Sequence, residues 1–389
     1  MRGIPEKAAS GFRAPEDRPL WHRRQGVFAL ACVVFIVVFW SSPSRSQESA
    51  APAVDWRSPA PFRIRDLTLP NALVLGLIPV PPETVGRGSW AVELIYSHSN
   101  TFQAGGGVRE FLRRRGRRDP LSRADVVAIL SEFGDDGFYI DGEFGLANFS
   151  VHFGLTQDLD VFVNIPYFVF TGGFFDGVIE SFHDALGVSQ AGRDLVARDQ
   201  FQILIPYQGG HVALLDRPSS GGFGDPVVGL RYAWPVLSNG WRMGCEAAAK
   251  IPVARSEKLL SSGNADYGVQ LALGRTWRKN SLVINASYVI TGNFDGAPGF
   301  EPANLPAFNL AYLRRLGARS TVILQLLTAG SIFSDTTDSS LSDLEFQTTI
   351  GVKWRLRNGY VGIAVTENVF NYDNTPDIAA HVSFAFILE

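Results

Sequence analysis

The residues with the most chemical potential lie in one stretch, 171–199. It reads Gly172-Gly173-Phe174-Phe175-Asp176-Gly177, then Val178 to Leu186 and Gly187. At 100° per residue, Asp176, Glu180, His183 and Asp184 share one side of a short helix, and Val178, Ile179, Phe182 and Leu186 share the other. Three carboxylates and an imidazole on one face have the chemistry to hold a divalent cation or a cationic ligand. The same spacing describes an amphipathic loop helix whose polar face meets water. No second cluster at ligand spacing accompanies it, so neither a metal nor a cofactor is expected.

Asp141-Gly142-Glu143 is the next candidate. On a strand of period two both carboxylates fall on one face. The expected face is the inner one, where they need water or cations such as Arg193 or Arg231. Paired acids suit proton transfer, but a salt-bridge network in the lumen is the commoner explanation of such a pair. Asp225 closes the run Gly221-Gly222-Phe223-Gly224, which a strand follows. A phosphate cradle needs a helix there, so Asp225 reads as part of a bend at an outer rim. Arg113, Arg114, Arg115, Arg117 and Arg118 form a basic run. It either binds lipopolysaccharide phosphates through bidentate contacts or is a solvated charge run. Ser122 to Leu130 reads as a helix capped by Ser122. His152 and His183 stand without a Gly-x-Ser-x-Gly elbow, and no enzyme activity is expected.

These residues must be positioned by strands. From Ser89 onward, segments of about ten residues alternate apolar and polar, split by turn signals. In the clearest, Leu344, Phe346, Thr348, Ile350, Val352, Trp354 and Leu356 oppose Glu345, Gln347, Thr349, Gly351, Lys353 and Arg355. Short links (Thr156-Gln157, Gln208-Gly209, Ser238-Asn239, 278–280, Gly317-Ala318, 357–359) alternate with long ones (101–137, 171–199, 217–223, 254–264, 292–304, 331–342, 371–376). A soluble sandwich has no reason to alternate loop lengths; a transmembrane barrel with both ends in the periplasm does. The expected fold is therefore all-β, a transmembrane antiparallel β-barrel with a short helix in an outer loop or the lumen. The alternation gives 14 strands, or 12 if 200–216 is a loop hairpin. Val382, Phe384, Phe386 and Leu388 form the aromatic-rich last strand that the barrel-assembly machinery would read.

Residues 1–46 read as a signal peptide, with Arg13, Arg18, Arg23 and Arg24 ahead of the apolar run Val27 to Trp40 and a small, polar exit. Segment 47–88 reads as periplasmic, at the barrel mouth or partly inside, because 64–88 with its Ile78-Pro-Val-Pro-Pro82 lacks strand alternation; 89–389 is the barrel. With a net charge of −3 before loss of the basic leader, a nucleic-acid partner is excluded. If the leader is removed Cys245 stands alone, so no internal disulfide forms.

The run Asp141-Gly-Glu143, the block Gly172 to Gly187, Gly192-Arg193-Asp194 and Gly222-Phe-Gly-Asp225 together resemble the proteobacterial family known as domain of unknown function 3187. The resemblance spans about Phe62 to the end, and Ile179-Glu-Ser-Phe-His-Asp184 is its most specific part. It implies an outer-membrane barrel of undetermined activity in a Gram-negative cell and assigns no catalytic residues. The Arg-rich first loop departs from the family pattern. Three functions stay open: a channel or transporter for small molecules, with Asp176, Glu180, His183 and Asp184 constricting it; a plugged structural barrel that binds lipopolysaccharide or a partner; and, behind both, an outer-membrane hydrolase.

Overall fold

The computed structural model describes residues 60–187, 189–207, 210–333, 339–368 and 375–388. The expected leader, 1–46, and residues 47–59 lie outside the described residues.

Period-two alternation produces long strands: β1 (Trp90–Ala104), β2 (Tyr139–Gly154) and β3 (Leu159–Thr171). The short β4 (Gln202–Tyr207), β5 (Gly210–Leu214) and β6 (Gly221–Phe223) follow. Then come β7 (Val227–Ala233), β8 (Trp241–Lys250), β9 (Asp266–Trp277), β10 (Asn280–Ile290), β11 (Leu305–Arg315), β12 (Ser320–Ala329), β13 (Glu345–Leu356), β14 (Gly359–Glu367) and β15 (Ile378–Leu388). Each pairs antiparallel with its neighbour. β1 closes on β15 with Trp90 opposite Leu388 and Asn100 opposite Ile378. Of the fifteen strands, β4, β5 and β6 lie off the ring, which leaves twelve in it. Closure leaves no free edge in the twelve-strand ring, the condition for passage of a sheet through lipid.

Region 200–216 is thus the loop hairpin of the 12-strand expectation. β2 overhangs the ring, and its tip Tyr139–Asp141 pairs with Leu204–Gln202 of β4. The expected Gln208-Gly209 link lies outside the described residues; the strands on either side of it, β4 and β5, pair with each other above the wall, at the long-loop end, whereas the alternation predicts a turn at the short-turn end. β6 continues the line of β7 along β3, interrupted at 224–226.

Polarity across the wall is inverted relative to a soluble sheet. Leu94, Phe149, Val163, Leu230, Val269, Leu324, Ile350, Ile363 and Phe384 are exposed on the outside, while Glu93, Ser150, Asp160, Arg231, Gln270, Gln325, Thr349, Lys353 and Ser383 are buried within. An outer apolar belt is stable only against hydrocarbon. No described helix is long and apolar enough to cross a membrane.

Among the described residues five short α-helices sit off the wall: α1 (Leu69–Ala72), α2 (Gly106–Arg115), α3 (Arg123–Phe133), α4 (Asp176–Leu186) and α5 (Ser339–Ser342). The expected Ser122 cap is present, in a reciprocal capping box with Asp125. The arginine run, read as loop, is largely helical. Val108 and Leu112 repeat at i, i+4 and are buried, and Gly116 ends α2 in the left-handed conformation at φ 65°.

Candidate functional site

The lumen is filled by the chain's own residues 60–88. Near the short-turn end, Phe62 donates its amide N–H to Gln325 Oε1 at 3.1 Å, and its carbonyl accepts from Gln325 Nε2 at 3.0 Å. Lys353 donates to the carbonyls of Ala60 (3.0 Å) and Pro61 (2.8 Å), with its ammonium 4.9 Å from the Phe62 ring and 4.0 Å from the Tyr360 ring. Arg63 meets Glu93 at 3.3 Å and donates to His152 Nε2 at 2.8 Å. The segment then climbs to the long-loop end. There Asn71 donates to Glu345 (2.7 Å), Leu75 N–H to Asp266 (2.7 Å), and Lys250 to the Leu73 carbonyl (2.9 Å).

It returns through the proline-rich stretch. Gln270 donates to Ile78 O (3.0 Å), Asn285 to Val80 O (2.8 Å), and Arg231 to Pro81 O and Glu83 O (both 2.7 Å). Proline has no N–H, so this arm presents mainly acceptors, and the wall answers with side-chain donors. Backbone that lacked such partners could not be buried here. Inner-wall glycines make room: a Cβ on Gly351 or Gly362 would lie 2.6 or 2.9 Å from the Phe62 ring, and one on Gly274 2.9 Å from Pro82.

Above this plug is an apolar cavity of about 270 Å³. Leu69 and Leu73 of the plug form its floor, Ile205 and Leu214 of the β4–β5 hairpin one wall, and Phe300 and Phe333 from later loops another. Asp225 braces the adjoining loop: its carboxylate accepts from the amides of Val253 (2.9 Å) and Ala254 (2.8 Å) and from Ser261 Oγ, and it lies 3.7 Å from Lys250. That bracing is consistent with the expected rim bend.

The other sequence candidates gather elsewhere, on the outside of the wall. Asp141 and Glu143 do share a face, but it is the outer one, in register with Phe102 and Asn100 of β1. The expectation that they face the lumen is corrected. They are buried because loop 171–199 folds down over this sector. Glu143 accepts from His98 (2.6 Å), from Asn100 (3.1 Å) and from the amides of Phe174 (3.0 Å) and Phe175 (2.9 Å). Asp141 accepts from Tyr139 at 2.9 Å. Asn100 bridges from Glu143 to Asp176 at 3.0 Å. Arg193, a candidate partner for Asp141 and Glu143, makes its direct ion pairs with Asp176 and Asp377, lies 4.9 Å over the Phe102 ring, and acts on Asp141 through charge alone. Arg231, the other predicted partner, is in the lumen against Asp160 and Glu246. Burial raises the Asp377 carboxyl above its ordinary range, and the Arg193 guanidinium only partly opposes it.

The face of α4 formed by Asp176 and Glu180 is turned inward and buried together with Ile179. Glu180 ion-pairs with Arg118 and with Arg198 at 2.5 Å. Burial alone would raise its pKa, but the hydrogen bonds from Arg198 and Arg118 prevail and hold it below the ordinary range. Asp184 is exposed and accepts from Gln190 at 2.8 Å, and His183 is half-buried. The four residues neither line the lumen nor converge on a metal position; among the described residues no group of three potential ligands does. In the arginine run, Arg114 pairs with Glu132 (2.6 Å), Arg115 with Asp125 (3.4 Å), Arg117 with Asp119 (3.6 Å) and Asp125 (3.5 Å), and Arg118 with Glu180, while Arg113 is exposed. These guanidiniums are mostly spent on internal carboxylates.

The plug contacts escaped sequence reasoning. A signal for them existed: one or two charged residues at inward positions on several strands, as with Glu93, Asp160, Arg231, Glu246, Lys250, Asp266, Glu345 and Lys353.

Comparison with known proteins adds the following. The model of a family described as "Protein of unknown function (DUF3187)" matches residues 123–387. No curated protein matches the chain. Among solved structures, the COG4313 outer membrane channel from Pseudomonas putida F1 is 9% identical, with 79% of this chain and 97% of that one covered and a TM-score of 0.48. The Ralstonia pickettii toluene transporter TbuX is 11% identical, with 85% and 96% covered and a TM-score of 0.39. The Pseudomonas putida toluene transporter TodX is 7% identical, with 85% and 99% covered and a TM-score of 0.35. Likenesses this remote carry no argument about what the chain binds.

Proposed function

The chain belongs to the DUF3187 family, and we propose that it is an outer-membrane barrel that captures small apolar molecules above a lumen plug and admits them when the plug yields. The observation that carries the reading is shared residues: Leu69 and Leu73 belong to the plug and also floor the apolar cavity. A ligand seated there touches the segment that closes the lumen, so occupancy and closure are coupled by contact. Size sets the ligand class. A dry apolar cavity of roughly 150 Å³ takes benzene, so about 270 Å³ suits a compact hydrocarbon of one or two rings. Few polar groups converge on the cavity, which favours apolar over charged cargo.

The test is titration of purified barrel in detergent with a fluorescent naphthylamine, followed by displacement with naphthalene. Saturable binding at about one site per barrel, abolished by the cavity-filling Ile205→Trp, supports the reading. Absence of saturable binding to the wild type, or equal binding by Ile205→Trp, would sink it. A second reading, a permanently plugged structural barrel, is favoured by the hydrogen bonds that line the plug along its whole course. It requires that conductance stay at zero even when the plug is loosened.

A further inference from the structure

Helix α4 carries an apolar stripe that the protein does not cover. Phe174, just ahead of the helix, and Val178 and Phe182 on it recur every fourth residue and are 62, 58 and 54% exposed. Three large apolar side chains in a row facing water would forgo the hydrophobic gain of burial. Their position shows what they meet. The helix lies against the outer face of the wall, since Asp176 accepts from Asn100 and Phe174 stacks on His98 with ring centroids 5.1 Å apart, and both of those residues point outward from β1. The next outward residue towards the short-turn end, Tyr96, is 38% exposed in the lipid-facing belt and hydrogen-bonds His98 at 3.0 Å. The stripe is therefore continuous with the hydrocarbon-facing surface at its long-loop rim.

Charge completes the patch. Glu180 is 8% exposed at its side chain, whereas its two partners Arg118 and Arg198 are 40 and 49% exposed. Glu180 and the exposed Asp199 offset the charge of the pair, so what the surface presents beside the apolar stripe is two accessible guanidinium edges over one covered carboxylate. Guanidinium pairs suit phosphate through parallel N–H donors. We propose that α4 is an outer-leaflet docking element whose stripe lies among acyl chains while Arg118 and Arg198 bind the phosphate of a phosphorylated acyl lipid of the lipid A type. This surface is separate from the lumen cavity and stands whether or not the barrel carries apolar cargo.

The experiment uses the whole barrel in phosphatidylcholine bilayers, with and without lipid A, in a Cys32→Ser, Cys245→Ser background. A nitroxide on Phe182→Cys is expected to relax several-fold more with oxygen than with a water-soluble nickel complex, as a label in hydrocarbon does. A nickel effect equal to or above that of oxygen would overturn the membrane contact. In parallel, native mass spectrometry is expected to show retained lipid A on the parent barrel, reduced at least tenfold in Arg118→Gln/Arg198→Gln. If that variant keeps its lipid A, the phosphate assignment is overturned. Arg118→Lys/Arg198→Lys guards against mere loop collapse. It retains the charge, so partial retention of lipid A is expected, and loss as complete as in the glutamine pair would count against direct phosphate binding.

Discussion

Removing the Phe62 ring should open the barrel without unfolding it. Phe62 is fully buried, seated over Gly351 and Gly362 and beneath the Lys353 ammonium at 4.9 Å. Phe→Ala at a buried site costs about 3–5 kcal/mol, and the ammonium–ring contact contributes about 0.5–2 kcal/mol. These overlap, so about 3 kcal/mol is a conservative sum. None of it falls on the strand ladders, because the inter-strand pairing of β12, β13 and β14 does not involve Phe62. The loss falls on the equilibrium between seated and displaced plug. At about 1.4 kcal/mol per factor of ten, it multiplies the displaced fraction roughly 150-fold. The assay is single-channel recording in planar bilayers at fixed voltage, with the thermal transition of the barrel measured alongside. Phe62→Ala should raise the open fraction by at least tenfold over wild type with little change in the transition, and Gly362→Ala, whose added Cβ would meet the Phe62 ring at 2.9 Å and otherwise only side-chain atoms, should act in the same direction by crowding the seat. Equal open fractions in Phe62→Ala and wild type would refute the reasoning and favour the permanently plugged barrel.

Three further outcomes are expected. Glu180 has a folded pKa below its unfolded value, so its contribution is present above about pH 4.3 and is lost as pH falls through the folded value; amide exchange across 176–187 should be slow at pH 7 and, after correction for intrinsic rates, accelerate below about pH 4, with Glu180→Gln already fast at pH 7. Asp225→Ala strips the acceptor from the Val253 and Ala254 amides and from Ser261, at about 1–3 kcal/mol per buried group left unpaired; naphthylamine affinity should drop about tenfold while the barrel stays folded, and unchanged affinity would show that this loop does not shape the cavity. Ser122→Ala removes the α3 cap at about 1 kcal/mol; exchange should rise within 123–133 only, and conductance should not move.

The wall was legible because lipid enforces one rule on each strand. Leu344 to Leu356 shows it: the apolar positions face out, and Glu345, Gln347 and Lys353 are buried within. What alternation cannot tell is which face is which once a loop covers the outside. Asp141 and Glu143 obey period two, yet they point outward because α4 and Arg193 supply, on that side, the partners a lumen was expected to provide. The α4 pattern was readable too, but its polar face is the docked one: ion pairs with Arg118, Arg193 and Arg198 hold that face against the protein and leave Val178 and Phe182 exposed. The β4–β5 hairpin mimics a wall pair because its residues alternate; only the β2 overhang, a long-range pairing, places it above the ring. The plug was legible as non-strand from its prolines. Its wall seats were not, because Gly351 and Gly362 on adjacent strands acquire meaning only beside Phe62, nearly 300 residues away in the chain.

The plug's path has a mechanical consequence. It climbs from Ala60 beside Lys353 to α1 at the long-loop end, then descends to Gly88, which donates to the Gly154 carbonyl at 2.9 Å where β1 begins. Both ends of the segment therefore sit at the same mouth. Among the described residues, 60–88 enter and leave by that mouth without crossing the ring, so this segment can be drawn out without parting a strand pair. A pull on its amino end loads Lys353, Gln325 and Arg63 first and Glu345 and Asp266 only later, so the contacts fail in sequence like a peeled strip, each step opposed by about 0.5–3 kcal/mol, and the descending arm remains as the leash by which the segment returns.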